Sequence, residues 1–247
     1  MDRMIYVGMS GAKQAMEQQA SVANNMANVS TPGFRAQINN FRAVPVVGQE
    51  AGTRAMVVAS TPGADMRSGP MTQTGRALDV AVRGDGWLTV QMPDGSEAYT
   101  RAGNLQVGAE GQLMTMDSRP VAGEAGPLVV PPGAALTITS DGLVSALGPG
   151  GPATGAAEVG RLKLVNPPAG DMVRSDDGLF RMQPGAEPAQ ADPAVRLLTG
   201  TLEGSNVNPV QVMVDMIANA RRFEMQMKTL QTAESNDQQA NKLLSNS

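Results

Sequence analysis

Two helical periodicities stand at the ends of the chain, and a strand periodicity fills the space between them. From the start, Ile5, Met9, Ala12, Met16, Gln19, Ala23 and Met26 recur at alternating steps of four and three. Toward the other end, Met213, Met216, Ala220, Phe223, Met227 and Leu230 do the same. Such spacing lines side chains along one helix face and makes a narrow seam of the coiled-coil kind. The first pattern predicts a helix over residues 4–28, with Lys13, Glu17, Ser21 and Asn24 on the opposite face and Thr31-Pro32-Gly33 as its stop. The second predicts a helix from Pro209 to about Leu244. Asn208 caps it, proline suits the first helical position, and Gln211 stands where a capping-box partner would. Val210, Val214 and Ile217 widen its apolar stripe, which fades beyond Leu230 through Glu234, Asp237 and Asn241.

Between the helices, residues 74–200 read as β. Leu78, Val80 and Val82 alternate with Asp79, Ala81 and Arg83, and Gly84-Asp85-Gly86 then turns the chain into Trp87-Leu88-Thr89-Val90. Asp94-Gly95, Glu110-Gly111, Asp141-Gly142 and Asp177-Gly178 mark further hairpins. Glycine accepts positive φ there, and the acidic side chain bonds to nearby amides. Residues 36–73, with Pro45, Gly48, Gly52, Pro62, Gly63 and Gly69-Pro70, read as an extended connector. The expected fold is α+β. Residues 1–35 and 201–247 supply helices paired as a coiled-coil-like domain, 36–73 connect, and 74–200 form a mainly antiparallel β domain.

Composition narrows the chemistry. With 19 basic and 23 acidic residues in 247, the net charge of −4 gives no nucleic-acid footprint. Cysteine and histidine are both absent, which excludes disulfides, thiolate or imidazole metal ligands and the commonest general base. Asp85 and Asp176-Asp177 sit in turns, where acids serve the backbone. No Walker loop, EF-hand, zincin helix or dinucleotide fingerprint occurs. Asn28-Val29-Ser30 matches a glycosylation sequon too short to weigh. The 17 methionines suit adaptable seam packing. No apolar run approaches the roughly 20 residues that span a bilayer, and the first residues lack a signal peptide's apolar block. The expectation is therefore a non-enzyme without catalytic residues, metal or cofactor.

The most specific motif is Ala23-Asn24-Asn25-Met26-Ala27-Asn28-Val29-Ser30-Thr31-Pro32-Gly33-Phe34-Arg35. It resembles the N-terminal signature of the bacterial flagellar rod and hook axial proteins, with Met26 where leucine is usual. Three further blocks agree, in order. Thr74-Gly75-Arg76-Ala77-Leu78-Asp79 through Gly84-Asp85-Gly86-Trp87 resembles the family's central block. Tyr99-Thr100-Arg101-Ala102-Gly103-Asn104-Leu105 resembles the next, Ala102 standing where Asn or Asp is commoner. Leu202-Glu203-Gly204-Ser205-Asn206-Val207-Asn208 leads to Arg221-Arg222-Phe223-Glu224, similar to the C-terminal signature. The start Met1-Asp2-Arg3-Met4-Ile5-Tyr6, the Gly84–Trp87 turn and residues 220–228 resemble a proximal-rod member more than a distal-rod one.

The resemblance implies a structural subunit of the flagellar basal-body rod, the shaft that carries motor torque across the periplasm. Its implied partners are copies of itself, other rod proteins and the flagellar type III export apparatus, which exports such chains without a cleaved signal. No nucleic acid or small-molecule substrate is implied. The rival readings are the distal-rod paralogue and a secreted β-domain binding module that dimerises through its helices; a carboxylate-based glycosidase stands third. Burying a seam side chain is worth about 1.5–3 kcal/mol, against about 1–2 kcal/mol to order each helical residue's backbone. The helix pair is therefore expected to be marginal until neighbours pack on it.

Overall fold

The computed structural model describes residues 2–39, 41–45, 55–59, 63–148 and 155–245, with backbone alone at 2–5, 7, 41–45, 55–59, 237, 240, 241 and 243–245. Gly48, Gly52 and Pro62 of the expected connector lie outside these residues, as do the side chains of Ile5, Pro45, Asp237, Asn241 and Leu244. The chain forms two compact units. One comprises Met1–Val29, Ala36–Ala64 and Val207–Ser247; the other comprises Ser30–Arg35 and Asp65–Asn206.

The helical unit is built on α1 (Asp2–Ala27) and α2 (Pro209–Ser245). Asn208 caps α2 as expected: its Oδ1 accepts from Val210 N at 3.0 Å and Gln211 N at 3.2 Å. Gln211 does not act as a capping-box partner; its amide donates to Asp215 Oδ1 at 3.0 Å, one turn further on. The helices run antiparallel. Gly8 lies against Leu230, Gly11 against Gln226, and Arg222 Nη1 reaches Gln18 Oε1 at 3.5 Å.

The seam between them is displaced by one position from the pattern predicted above. On α1, Gly8, Ala12, Ala15 and Val22 are buried, with Gln19 and Met26 half-buried between them. On α2, Val212, Asn219 and Ala233 are buried, with Met216, Phe223, Gln226 and Leu230 half-buried. Ala12, Gln19, Met26, Met216, Phe223 and Leu230 therefore stand on the seam as predicted. Met9, Met16, Ala23, Met213, Ala220 and Met227 do not: they are exposed, Met9 by 56% and Met16 by 60%. The reason is steric. A Cβ on Gly8 would sit 2.7 Å from Leu230 Cδ2, and one on Gly11 3.1 Å from the Gln226 amide. The Leu230 and Gln226 side chains of α2 fill the space over these two glycines, so the α1 positions that face them are small and the methionines lie on the neighbouring face. Residues Gly8, Ala12 and Ala15 carry weaker hydrophobic signal than methionine, which is why the periodicity alone chose the wrong face.

Within the stretch read as an extended connector, the extended pieces pair into strands. Phe41–Pro45 pairs antiparallel with Ala55–Ala59, and Gln37–Ile38 with Gly63–Ala64. α1 packs against Gln37–Ile38 and Ala55–Ala59. Ser21, assigned to a solvated face, is only 6% exposed in consequence.

The β unit carries a five-stranded antiparallel sheet. Its order is Leu164–Val165, Trp87–Gln91, Glu97–Thr100, Phe180–Met182, Met172–Arg174. A three-stranded sheet joins Ala135–Ile138, Leu143–Leu147 and Ala157–Arg161, and Val80–Arg83 pairs with Arg196–Thr199. One continuous core includes Val80, Val82, Leu88, Val90, Leu113 and Leu162. The Leu78–Arg83 alternation does not separate core from solvent, because Val80, Ala81 and Val82 are all fully buried. A strand covered on both faces tolerates no polar face. The acidic-glycine turns form as predicted: Gly95, Gly111, Gly142 and Gly178 have φ between 79° and 84°. Asp94 Oδ1 accepts from Ser96 N at 2.9 Å and Asp177 Oδ1 from Leu179 N at 3.1 Å.

Gly103 shows how closely this unit is packed, since a Cβ there would meet the Val80 carbonyl oxygen at 1.6 Å. Backbone cannot retreat as a side chain can. Gly103→Ala should therefore cost about 3 kcal/mol in urea unfolding. Gly170→Ala, where a Cβ meets nothing, should stay within about 0.5 kcal/mol of the parent.

Candidate functional site

The β unit is closed at the place where the chain enters it, through residues 30–35, and leaves it, through Glu203 to Asn206. Gly33 N donates to Glu203 O at 2.8 Å, and Asn206 N to Phe34 O at 3.2 Å. A third segment runs with them. Gly204 N donates to Pro70 O at 2.8 Å, and the Asn206 side-chain amide donates to Asp65 O and Arg67 O, both at 2.8 Å. Thr201–Glu203 pairs with Met71–Gln73. Gly33 adopts φ 70°, and a Cβ there would meet the Arg101 carbonyl carbon at 2.2 Å. The Thr-Pro-Gly turn is thus a close backbone approach as well as a helix stop.

Between these segments lies a carboxylate with no solvent exposure. Glu203 Oε1 contacts Arg35 Nη1 at 2.7 Å and accepts from Gly69 N at 3.0 Å, while Oε2 accepts from Arg101 Nη1 at 3.1 Å. Arg101 Nη2 donates to Gly84 O at 2.8 Å, in the turn before Trp87. Both guanidinium carbons lie over the Trp87 ring, Arg101 at 5.2 Å and Arg35 at 5.8 Å from its centroid. Trp87 in turn packs on Phe180, centroids 4.6 Å apart. Two buried guanidiniums face one carboxylate, so the ring supplies the remaining attraction, which for a desolvated cation is worth about 2 kcal/mol. Burial pulls the Arg101 guanidinium below its ordinary value, and the Glu203 charge opposes that shift. Arg174 is likewise lowered by burial; its guanidinium lies 5.1 Å over Phe34.

A smaller charged node braces the next block. Asp79 is 4% exposed and takes bonds from Arg76 Nε at 2.9 Å and Thr74 Oγ1 at 2.7 Å. Arg76 Nη2 also donates to Leu105 O at 3.0 Å. Burial favours the neutral acid, but the hydrogen bonds from Arg76 and Thr74 outweigh it and hold the carboxyl below its usual range.

The motif residues fall into two groups. In the β unit, Gly33 donates to the Glu203 carbonyl, the Phe34 carbonyl accepts from Asn206 and the Gly84 carbonyl from Arg101, and Trp87 lies against both guanidiniums, while Asp85 is exposed. Those of the helical unit work locally. Asn25 is buried and holds both backbone groups of Gln37, its Nδ2 donating to the carbonyl at 2.9 Å and its Oδ1 accepting from the amide at 2.7 Å. Asn28 Nδ2 donates to Asn24 O at 2.9 Å and closes the last turn of α1, leaving Asn24 exposed. Arg222 and Glu224 are exposed and Phe223 is half-buried. Arg35, Arg101 and Glu203, the centre of the cluster, were not among the predicted site residues. Each stands in a motif block, and a lone acid before Gly204 is the signal that could have found Glu203.

Elsewhere on this unit, an open groove of about 490 Å³ is lined by Glu124, Arg161, Lys163 and residues 188–191. Its cations are engaged, Lys163 with Glu97 at 2.6 Å and Arg161 with Asp141 at 3.2 Å. The helical unit presents a different surface. Beside the buried seam, α1 exposes Tyr6, Met9 and Met16, and α2 exposes Val210, Met213, Val214 and Ile217.

Three family profiles match the chain in order. They are the flagella basal body rod protein profile over residues 5–35, the flagellar hook protein FlgE/F/G D1 domain over 81–146, and the flagellar basal body rod FlgEFG protein C-terminal profile over 198–243. The chain is 55% identical over 250 aligned positions to the flagellar basal-body rod protein FlgF of Salmonella typhimurium, covering 99% of both chains. It matches the FlgF of Escherichia coli to the same degree. Against the flagellar basal-body rod protein FlgG of Bacillus subtilis identity is 31%, over 94% of this chain and 95% of that one.

Two outcomes test the site. Glu203→Gln should cost about 3–5 kcal/mol in urea unfolding of the β unit, because two guanidiniums stay buried without their counter-charge. The second concerns acid. A depressed carboxyl contributes stability that is complete above its unfolded value of about 3.9 and is lost as pH falls through the lower folded value. Asp79 and Asp177 are both depressed, so the melting temperature should hold steady down to about pH 5 and fall below about pH 4. Asp79→Asn should flatten that fall.

Proposed function

The chain belongs to the FlgE/F/G family of flagellar rod and hook proteins, and from that premise we propose how and where it builds the shaft. It is a structural subunit of the basal-body rod. Its place is the proximal rod, a reading supported by 55% identity to relatives named FlgF against 31% to one named FlgG. It reaches that place through the flagellar export apparatus without a cleaved signal and performs no catalysis.

The observation that supports polymerisation is the second apolar stripe. Each helix satisfies one seam against the other and keeps an adjacent one uncovered. Met9 and Met16 lie two turns apart on α1, and Val210, Val214 and Ile217 follow one another on α2, each 56% exposed or more. A helix pair with apolar side chains on its outside gains free energy only when further helices cover them. Thioether chains suit that role, since one side chain can pack against neighbours in slightly different settings. The rod contact therefore runs through Met9, Met16, Met213 and their neighbours, while Phe223 serves the internal seam.

Met16→Asp and Ile217→Asp should leave circular dichroism and melting of the free chain unchanged while abolishing motility and incorporation into basal bodies. Phe223→Asp should lower the melting temperature of the helical signal as well. Normal swimming in the first two variants would contradict the contact. Electron microscopy of basal bodies from a strain lacking this gene should show truncated rods; full-length rods would contradict the placement.

A further inference from the structure

The internal seam of α1 and α2 is not wholly apolar. Asn219 is 2% exposed and its Nδ2 is buried with no hydrogen-bond partner among the described residues. On the facing helix, Gln19 Oε1 is buried in the same condition, and so is Gln14 Nε2 one turn away. The antiparallel offset can be read from three contacts: Gly8 with Leu230, Gly11 with Gln226, and Gln18 with Arg222. That offset puts Gln19 and Asn219 at the same level, an acceptor on one helix and a donor on the other.

We propose that this amide layer sets the register of the helix pair and lowers its stability in doing so. A buried polar group without a partner is a local penalty. Penalties of this kind discriminate between arrangements, because a seam of small apolar residues looks alike at every heptad. Sliding one helix by a heptad would put Asn219 opposite Ala12 or Met26, where no side chain can receive its amide. In the native offset the two amides stand at the same level, where a shared hydrogen bond recovers only part of that penalty; a slipped register recovers none. Gly8, Ala12, Ala15 and Val22 give the seam its closeness; Gln19 and Asn219 give it one preferred offset. This inference concerns the free chain and stands apart from the rod contact above.

The absence of cysteine allows a clean test by paired substitution in the full chain. Gln18→Cys with Arg222→Cys reports the native offset, and Gln18→Cys with Thr229→Cys reports a slip of one heptad. In the parent, a short bis-maleimide, able to span the gap left by the long Gln18 and Arg222 side chains, should cross-link the first pair and not the second. With Asn219→Leu added, the midpoint of the helical melting signal should rise by about 2–4 °C, and the second pair should begin to cross-link. A fall in the midpoint would overturn the proposal, since the amide would then be a net stabilising contact. A rise with the native cross-link alone would overturn it too. If Asn219→Leu loses its helical signal, Gln19→Met, which conserves side-chain length, takes its place under the same two criteria.

Discussion

Everything in the β unit closes on one carboxylate. Glu203 is taken out of water entirely and is tolerated there because it is ion-paired to Arg35 and three donors converge on it or its backbone: Arg101, Gly69 and Gly33. Burying a charge is costly unless it is paired and hydrogen-bonded, so its presence forces those segments into place together. They come from three remote stretches of sequence: Gly33 with Arg35, Gly69, and Arg101. Gly33, Arg35, Arg101 and Glu203 itself lie in motif blocks in which family resemblance is concentrated, which gives the resemblance a physical content. Trp87 completes it by placing an aromatic face beneath two cations that share one counter-ion. A node of this kind ties the point where the chain enters the unit to the point where it leaves.

The helical unit obeys a different constraint, that of complementary side-chain size across the seam. Glycine and alanine on α1 leave room for Leu230 and Gln226 of α2, and the larger side chains of α1 lie on the outside. The methionines that dominate the periodicity are thus surplus to the internal seam. For a monomeric protein that would be a liability. On the reading proposed above it is the means of association, and the same narrow pairing leaves the second stripe available.

Much of this was legible in the sequence. The α+β class, both helices, the Asn208 cap and the acidic-glycine turns follow from periodicity and local turn chemistry, which act within a few residues. The failures are equally physical. Periodicity ranks faces by hydrophobic strength, so it preferred Met9 and Met16 to Gly8 and Ala15, whereas packing ranks them by how well side-chain sizes fit across the seam. The stretch 55–58 is legible as a short extended piece, but its pairing with Phe41–Pro45 is not, because the prolines and glycines between them read as connector. Arg35, Arg101 and Glu203 were hidden differently: a charged residue in sequence looks solvated until its partners are known, and Glu203 lies 168 positions from Arg35 and 102 from Arg101.

The claim that Glu203 holds the β unit shut is tested most directly by native-state hydrogen exchange at two amides, Gly69 N and Gly33 N, which bond to its side chain and its carbonyl. If the node opens only with the whole unit, both amides exchange with the same opening free energy as the deep core amides of Leu88 and Val90. Exchange of Gly33 and Gly69 at a much lower opening free energy, with Leu88 and Val90 still protected, would show that the ends of the unit come apart on their own, and would contradict it.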